Sequence, residues 1–360
     1  MNIAYFYVTE QGEHLAKKIQ EVLGGDCYGK ENLRETMKMA MENYDSLICI
    51  MATGIVVRMI GAYTVHKTKD PAVLVLDQKG DYVISLLSGH LGGANDLAKL
   101  VSSITGGQPV ITTATDVEQI LSFDTFAKEK SMEIEGISNL KYISSAMLSR
   151  KEVTLYCNNP LFIEELRERL CQSNFELIEE QEEKLERPTV IISPYIEEIP
   201  AEKTLWLRPK VVTIGVGCKK DREETGGTEA VEEQFSHLQL SLKSLHQIAT
   251  IPRKVNEPLI QFLSKYYEKA ISEVTEEEIS QLDLEKLGIQ QSNFVQETVG
   301  VPSVATACAY IVAKEGKILV DKEKYQGFTL SVAIENEWKK KNMMRYCIRY
   351  NIGAENEKSR

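Results

Sequence analysis

Leu86-Leu87-Ser88-Gly89-His90-Leu91-Gly92-Gly93-Ala94-Asn95-Asp96-Leu97-Ala98 sets a single histidine among small residues, between a stretch that reads as strand and one that reads as helix. Before it, Tyr82–Leu87 is a short apolar run; after it, Asn95–Ser103 carries helical spacing at Leu97, Leu100 and Val101. A glycine-rich loop passing from strand to helix is the mark of an α/β unit. Such a loop aims free backbone N–H groups at an anion or a polarised oxygen. Glycines at 89, 92 and 93 permit positive φ and close approach of the backbone to a ligand, and Asn95 reads as the helix N-cap. The same pattern also serves as a bare tight connection. It lacks the Gly-Lys-Ser/Thr ending of a phosphate loop, the G-x-G-x-x-G fingerprint and the G-x-S-x-G elbow.

Outward from this loop, the expected strands are Ile3–Val8, Leu47–Met51, Val73–Leu76 and Pro109–Thr112, with a helix over Gln11–Leu23. Strand and helix alternate as in a doubly wound sheet. Met51-Ala52-Thr53-Gly54 and Thr112-Thr113-Ala114-Thr115-Asp116 follow strands, so both are expected at the sheet edge that carries His90, where open α/β folds bind ligands.

The fold class read from the sequence is α/β, with N-terminal and C-terminal α/β domains around a small α/β middle module. The expected boundaries are 1–130 for the N-terminal domain, 131–208 for an acidic middle module, 209–345 for the C-terminal domain and 346–360 for a polar tail. The middle module shows strands at Thr154–Tyr156 and Thr189–Ile192. In the C-terminal domain Val211–Lys220 reads as a strand ending in a second glycine turn, and Ile248–Lys254 as strand and loop. Asn256-Glu257-Pro258 opens a helix, Ser303 caps an Ala-rich helix, and Ile318–Val320 with Phe328–Val332 form a hairpin.

The 360 residues carry a formal charge of −11, and twelve acids against four bases between Glu164 and Glu202 supply eight units of it. That balance argues against a nucleic-acid surface. Ser46–Lys69, by contrast, has no acid and carries Arg58, His66, Lys67 and Lys69, while Lys210, Lys219, Lys220 and Arg222 form a second basic group. The run Lys339-Lys340-Lys341 reads as solvated surface. No apolar run reaches membrane-spanning length and no signal-like leader is seen, so a soluble, cytoplasmic protein is expected. The seven cysteines, at 27, 49, 157, 171, 218, 308 and 347, show neither C-x-x-C nor zinc spacing. Cys218, beside Lys219 and Lys220, is a candidate for a lowered thiol pKa.

The run from Ser85 to Asp116, with Leu-Leu-Ser-Gly-His-Leu-Gly-Gly-Ala-Asn and Pro-Val-Ile-Thr-Thr-Ala-Thr-Asp, resembles the N-terminal domain of the cobalt-precorrin-5A hydrolase (CbiG) family of cobalamin biosynthesis. Gly215-Val216-Gly217-Cys218-Lys219-Lys220, Lys254 with Glu257, Ser292-Asn293-Phe294-Val295 and Gly300–Ala305 resemble its C-terminal domain in order. Two departures stand out: Thr306 where the family commonly has Glu, and Thr250-Ile251-Pro252 where it commonly has Ser-Ile-Asp.

The resemblance implies opening of the ring-A δ-lactone of a cobalt-corrinoid precursor and loss of its C20 fragment as acetaldehyde. Cobalt would arrive with the anionic substrate, with no protein cofactor or metal site; contact with neighbouring pathway enzymes is a further expectation, and no nucleic acid or membrane is involved. Such chemistry needs a base, oxyanion donors and a proton donor. The catalytic candidates are therefore His90 as base or acid, Asn95 and the N–H groups of Gly92 and Gly93 as oxyanion donors, and Asp96 to orient His90. Thr53, Arg58, Lys67, Ser88, Thr113, Lys219 and Lys254 are the candidates for holding substrate. A non-catalytic corrinoid carrier remains the alternative, and a nucleotide-binding module a third.

Overall fold

The computed structural model describes residues 1–66, 69–157, 159–180, 186–197, 199, 202–338 and 344–351. Lys67, the Lys339–Lys341 run and the polar stretch from residue 352 onward lie outside the described residues. The chain forms two compact units, Met1–Phe126 and Ala127–Arg360.

In the first unit strand and helix alternate as β1 (Ile3–Tyr7), α1 (Glu10–Leu23), β2 (Asp26–Tyr28), α2 (Leu33–Asn43), β3 (Ser46–Ile50), α3 (Thr53–Ile60), β4 (Ala72–Leu76), β5 (Tyr82–Leu87), α4 (Ala94–Thr105), β6 (Gln108–Val110), α5 (Ala114–Val117) and α6 (Phe123–Glu129). β3 and β4 are buried along their whole length, which is why they read as continuous apolar runs. One sheet face, with Ile3, Tyr5, Ile48 and Leu74, packs on α1 and α4 through Leu15, Ile19, Leu97 and Val101. The other, with Phe6, Leu47, Cys49 and Val75, packs on α2 and α3 through Met37, Met41, Val56 and Ile60. The doubly wound expectation is met.

The strand order is β2-β1-β3-β4-β5-β6. β1, β2, β3 and β4 run parallel, but β5 runs against β4, and β6 runs with β5. The cause is local. Only five residues join Leu76 to Tyr82, and a parallel crossover needs about a dozen or more. Asp77 closes the turn by accepting from Lys79 N (2.8 Å) and Tyr82 N (2.8 Å), and Gly80 sits at φ 77°.

This reversal corrects the expected pocket. Leu87 lies beside Val73, so the His90 loop emerges at the start of β4, whereas Thr53 follows Ile50, which lies beside Leu76 at the end of β4. Thr53 and Arg58 therefore belong to the opposite end of the sheet, about 10 Å or more away along the strands.

The second unit holds two sheets. The first contains β7 (Glu133–Glu135), β8 (Val153–Cys157), β9 (Phe175–Glu179), β10 (Thr189–Ile192) and β11 (Thr204–Arg208), with α7 (Leu140–Leu148) and α8 (Pro160–Gln172) between them. The second contains β12 (Val212–Cys218), β13 (Leu245–Thr250), β14 (Ile271–Glu273), β15 (Lys317–Tyr325) and β16 (Phe328–Ile334), in the order β14-β13-β12-β16-β15. Its helices are α9 (Gly227–Leu238), α10 (Pro258–Tyr267), α11 (Glu276–Ser280), α12 (Asn293–Val299) and α13 (Ala305–Val312). The Ala-rich α13 begins after Val304, and Ser303 does not cap it: its buried hydroxyl has no hydrogen-bond partner. β12 and α13 approach so closely that a Cβ on Gly215 would lie 1.8 Å from the Ala305 carbonyl oxygen.

The expected polar tail at 346–360 is also corrected, because a final strand, β17 (Met344–Tyr350), is inserted between β8 and β9, antiparallel to both. Its Tyr346, Cys347 and Ile348 are buried, and the polar residues flanking them (Arg345, Arg349) mask a core strand. The middle sheet thus has six strands, β7-β11-β10-β8-β17-β9, and is larger than the sequence suggested. The two sheets of this unit are also stitched together: Ile196 N donates to Gln239 O (2.7 Å) and Ser241 N to Pro194 O (2.8 Å).

Candidate active site

The loop after β5 is built by its own small residues, each for a separate reason. Gly93 adopts φ 85° ahead of α4. A Cβ on Gly89 would come within 2.8 Å of the Asn95 amide, and one on Gly92 within 2.4 Å of Ser88 Cβ. Two of the three glycines thus make room for neighbouring residues rather than taking positive φ. Ser88 does take it, at φ 58°, a strained choice for a residue with a side chain, and its hydroxyl is anchored on Asp70 O at 2.9 Å.

Because β6 runs with β5, the segment after β6 reaches this same loop. His90 Nε2 lies 3.0 Å from Thr115 Oγ1 and 3.4 Å from Asp116 Oδ2, while Nδ1 lies 3.3 Å from Thr125 Oγ1 on α6. Asp116 is held in turn by Asn95 Nδ2 at 2.9 Å. Asn95 Nδ2 also reaches Thr113 Oγ1 (3.3 Å), and its Oδ1 accepts from Ser85 Oγ (2.6 Å). The result is a carboxylate–imidazole–hydroxyl arrangement at the mouth of the loop, with His90 20% and Asp116 25% exposed. α6 carries its own polar start, where Asp124 accepts from Ser122 Oγ and from Thr125 N.

Several expected roles change. Asn95 is not the N-cap, which is Gly93, and its buried amide is fully engaged, so it positions Asp116 rather than serving as an oxyanion donor. Asp96 does not orient His90; its side chain is 77% exposed and faces Lys99 at 3.6 Å, as suits a carboxylate in the first turn of a helix. Gly93 N–H is used by His90 O at 2.9 Å, whereas Gly92 N–H has no hydrogen-bond partner among the described residues. Asp116, Thr115, Thr125 and Ser85, which contact His90 or Asn95 here, were not among the expected site residues. Asp116 ends the motif quoted above and its place after a strand was a usable signal; Thr125 carries none.

Exchanging Asp116 for Asn should lower turnover by about a hundredfold or more, since the amide no longer matches the imidazole. Asp96→Asn, which disturbs only an exposed ion pair, should stay within about twofold. Steady-state rates of the two variants side by side check this, and equal losses would reject the assignment.

Of the remaining predicted residues in this unit, Thr53 and Arg58 are not gathered at this loop. Arg58 is exposed at the far sheet end. Lys219 and Lys254 belong to the second unit, where they follow the parallel strands β12 and β13. Lys254 Nζ is paired with Glu257 Oε1 at 2.9 Å, and the other oxygen of Glu257 accepts from Asp221 N at 2.6 Å. Lys219 is exposed and ties its N–H to Gly327 O. Thr306 is fully buried and donates to Asp321 Oδ1 at 2.7 Å, so the acid of this cluster comes from β15.

Cys218 is not activated: burial, with Glu257 nearby, pushes its thiol up to about 11 despite Lys254 and Arg222. Its alkylation by iodoacetamide should therefore be negligible at pH 7.5 and climb as pH approaches 11, with the exposed Cys171 labelled first. Peptide mapping after timed labelling reads this out; rapid labelling of Cys218 at neutral pH would contradict it. No group of three or more His, Cys, Asp or Glu side chains is placed to hold a metal among the described residues. No helix among them is long and apolar enough to cross a membrane.

Models of three families match consecutive parts of the chain: cobalamin synthesis G N-terminal at residues 35–116, cobalamin biosynthesis central region at 121–209 and cobalamin synthesis G C-terminus at 212–333. The chain belongs to the cobalamin synthesis G family. Among members of this family, the cobalt-precorrin-5A hydrolase of Salmonella typhimurium is 30% identical over 92% of this chain and 97% of its own length. The cobalt-precorrin-5A hydrolase of Priestia megaterium is 29% identical over 92% of this chain and 88% of its own. The solved structure of CobE, a protein from the cobalamin (vitamin B12) biosynthetic pathway, is 22% identical, covers 35% of this chain and 91% of its own, and superposes with a TM-score of 0.32. The N-terminal model of the cobalamin synthesis G family ends at Asp116, so it spans Asn95 and His90 together with the carboxylate they meet.

Proposed function

We propose that this chain is a cobalt-precorrin-5A hydrolase that opens the ring-A δ-lactone of its substrate and releases the C20 fragment as acetaldehyde, in the cytoplasm. The reading is supported by the relatives of that name, which cover nearly the whole chain. The observation that carries it is the His90–Asp116 pair, held by Asn95 at a glycine-rich strand-to-helix loop.

Lactone opening requires a proton acceptor for the nucleophile and a donor for the departing ring oxygen. His90 does both in turn: its Nε2 side is fixed by Thr115 and Asp116, which stabilise the imidazolium, and its other nitrogen exchanges the proton. The Gly92 N–H is the donor for the developing oxyanion. After ring opening, the carbon–carbon step needs the freed hydroxyl proton removed and a proton returned to the corrinoid as acetaldehyde leaves. The same imidazole serves both transfers. In this reading cobalt is part of the substrate, and the protein supplies acid–base groups and charge complementarity to the peripheral carboxylates.

The test is anaerobic incubation of the purified protein with cobalt-precorrin-5A, with acetaldehyde measured and binding followed by corrinoid absorbance. Catalytic release supports the hydrolase. Tight binding without release would replace it with a corrinoid carrier.

A further inference from the structure

Both ring nitrogens of His90 face threonine hydroxyls. Thr115 is 6% exposed and shares the Nε2 side with the carboxylate; Thr125 is half-buried and, among the described residues, is the one hydrogen-bond partner at Nδ1. An imidazole whose Nε2–H is directed at Thr115 and Asp116 presents its Nδ1 lone pair to the hydroxyl opposite. A histidine that activates water directly needs that nitrogen open to solvent. Here the hydroxyl of Thr125 occupies the position of the nucleophile in a carboxylate–histidine–hydroxyl relay, with a separation of 3.3 Å that is within the looser range found before substrate binds.

α6 fixes this hydroxyl from behind. Thr125 N donates to Asp124 Oδ1 at 2.9 Å, and Asp124 is itself 4% exposed and accepts from Ser122 Oγ. The backbone of Thr125 is thereby pinned at the start of the helix, leaving its side chain to meet His90.

We infer that Thr125 is the nucleophile of lactone opening, an inference that rests on the hydrolase reading above. Thr125 Oγ1 attacks the lactone carbonyl carbon as its proton passes to His90 Nδ1. The ring C–O bond breaks, the departing oxygen takes that proton, and the substrate is left joined to Thr125 as an ester. Water, deprotonated by the same nitrogen, then cleaves the ester, forming the free carboxylic acid and restoring the Thr125 hydroxyl. No oxidant, reductant or metal is consumed.

The experiment compares the wild-type chain with Thr125→Val and Thr125→Ser in single turnovers with excess enzyme over cobalt-precorrin-5A, acid-quenched from milliseconds to seconds and read by intact mass and peptide mapping. Wild type is expected to show a transient adduct on the peptide holding Thr125, of the substrate's mass or that mass less acetaldehyde. Thr125→Ser should keep the adduct at the same position and at least about a tenth of the rate, while Thr125→Val should lose at least about a hundredfold with corrinoid binding unchanged by absorbance. Thr125→Val turning over within tenfold of wild type would overturn the inference, as would a wild type that releases acetaldehyde with no adduct at any quench time. A wild type that binds substrate and releases no acetaldehyde would instead bring down the hydrolase reading itself.

Discussion

His90→Ala is expected to lower acetaldehyde release from cobalt-precorrin-5A by about a thousandfold, within the range of about 10²–10⁴ that a positioned acid–base group contributes. The imidazole is contacted on both nitrogens by groups of this one unit, Thr115, Asp116 and Thr125. The change removes a partly exposed side chain from a loop whose shape is set by Gly89, Gly92 and Gly93, so the fold should survive. Corrinoid binding measured by absorbance should accordingly change only a few-fold. A variant that binds and still turns over at more than about a tenth of the wild-type rate would move the chemistry away from this loop.

The largest expected effect on stability is far from that loop. In Gly215→Ala the new methyl would meet the Ala305 carbonyl 1.8 Å away and Ala309 Cβ at 3.0 Å, at a contact of strand and helix backbone where nothing flexible can yield. Forced separation of β12 from α13 should cost about 3 kcal/mol or more, at the upper end of overpacking effects. For a unit of this size that corresponds to a fall in melting temperature of roughly 6–12 °C. The chain's two tryptophans, Trp206 and Trp338, both lie buried in the second unit. Their fluorescence on heating reports this unit alone, and an unchanged melting curve would refute the close approach.

The parts of the fold that were legible are those in which local pattern and burial coincide. β3 and β4 are continuous apolar runs because helices cover both faces, and the loop around His90 announced itself by composition. The direction of β5 was written in the same sequence but read past: Asp77-Gln78-Lys79-Gly80-Asp81 is too short for anything but a hairpin. That one reversal decides which of the two expected loops meets His90: the segment with Thr115 and Asp116 does, and the one with Thr53 and Arg58 does not. Asp96, expected to orient His90, sits next to Asn95 on a helix, where neighbouring positions point to different faces. Thr125, thirty-five positions from His90, had no pattern to mark it, since a single hydroxyl on a helix acquires meaning only from what the tertiary fold sets against it. Tyr346, Cys347 and Ile348 were hidden for a related reason: flanking Arg345 and Arg349 make a paired inner strand look like solvated chain.

The strand β17 gives the order of synthesis a physical consequence. Its partners β8 and β9 leave the ribosome long before it, with the whole of the β12–β16 sheet translated in between. At about 5–20 residues per second, the facing edges of β8 and β9 wait roughly 10–40 s for the strand that joins them. An unsatisfied pair of edges is an invitation to pair with another chain. Nascent molecules are therefore most vulnerable to aggregation in the interval before residue 350 emerges, and slower, cooler expression with chaperones that shield strand edges should raise the soluble yield.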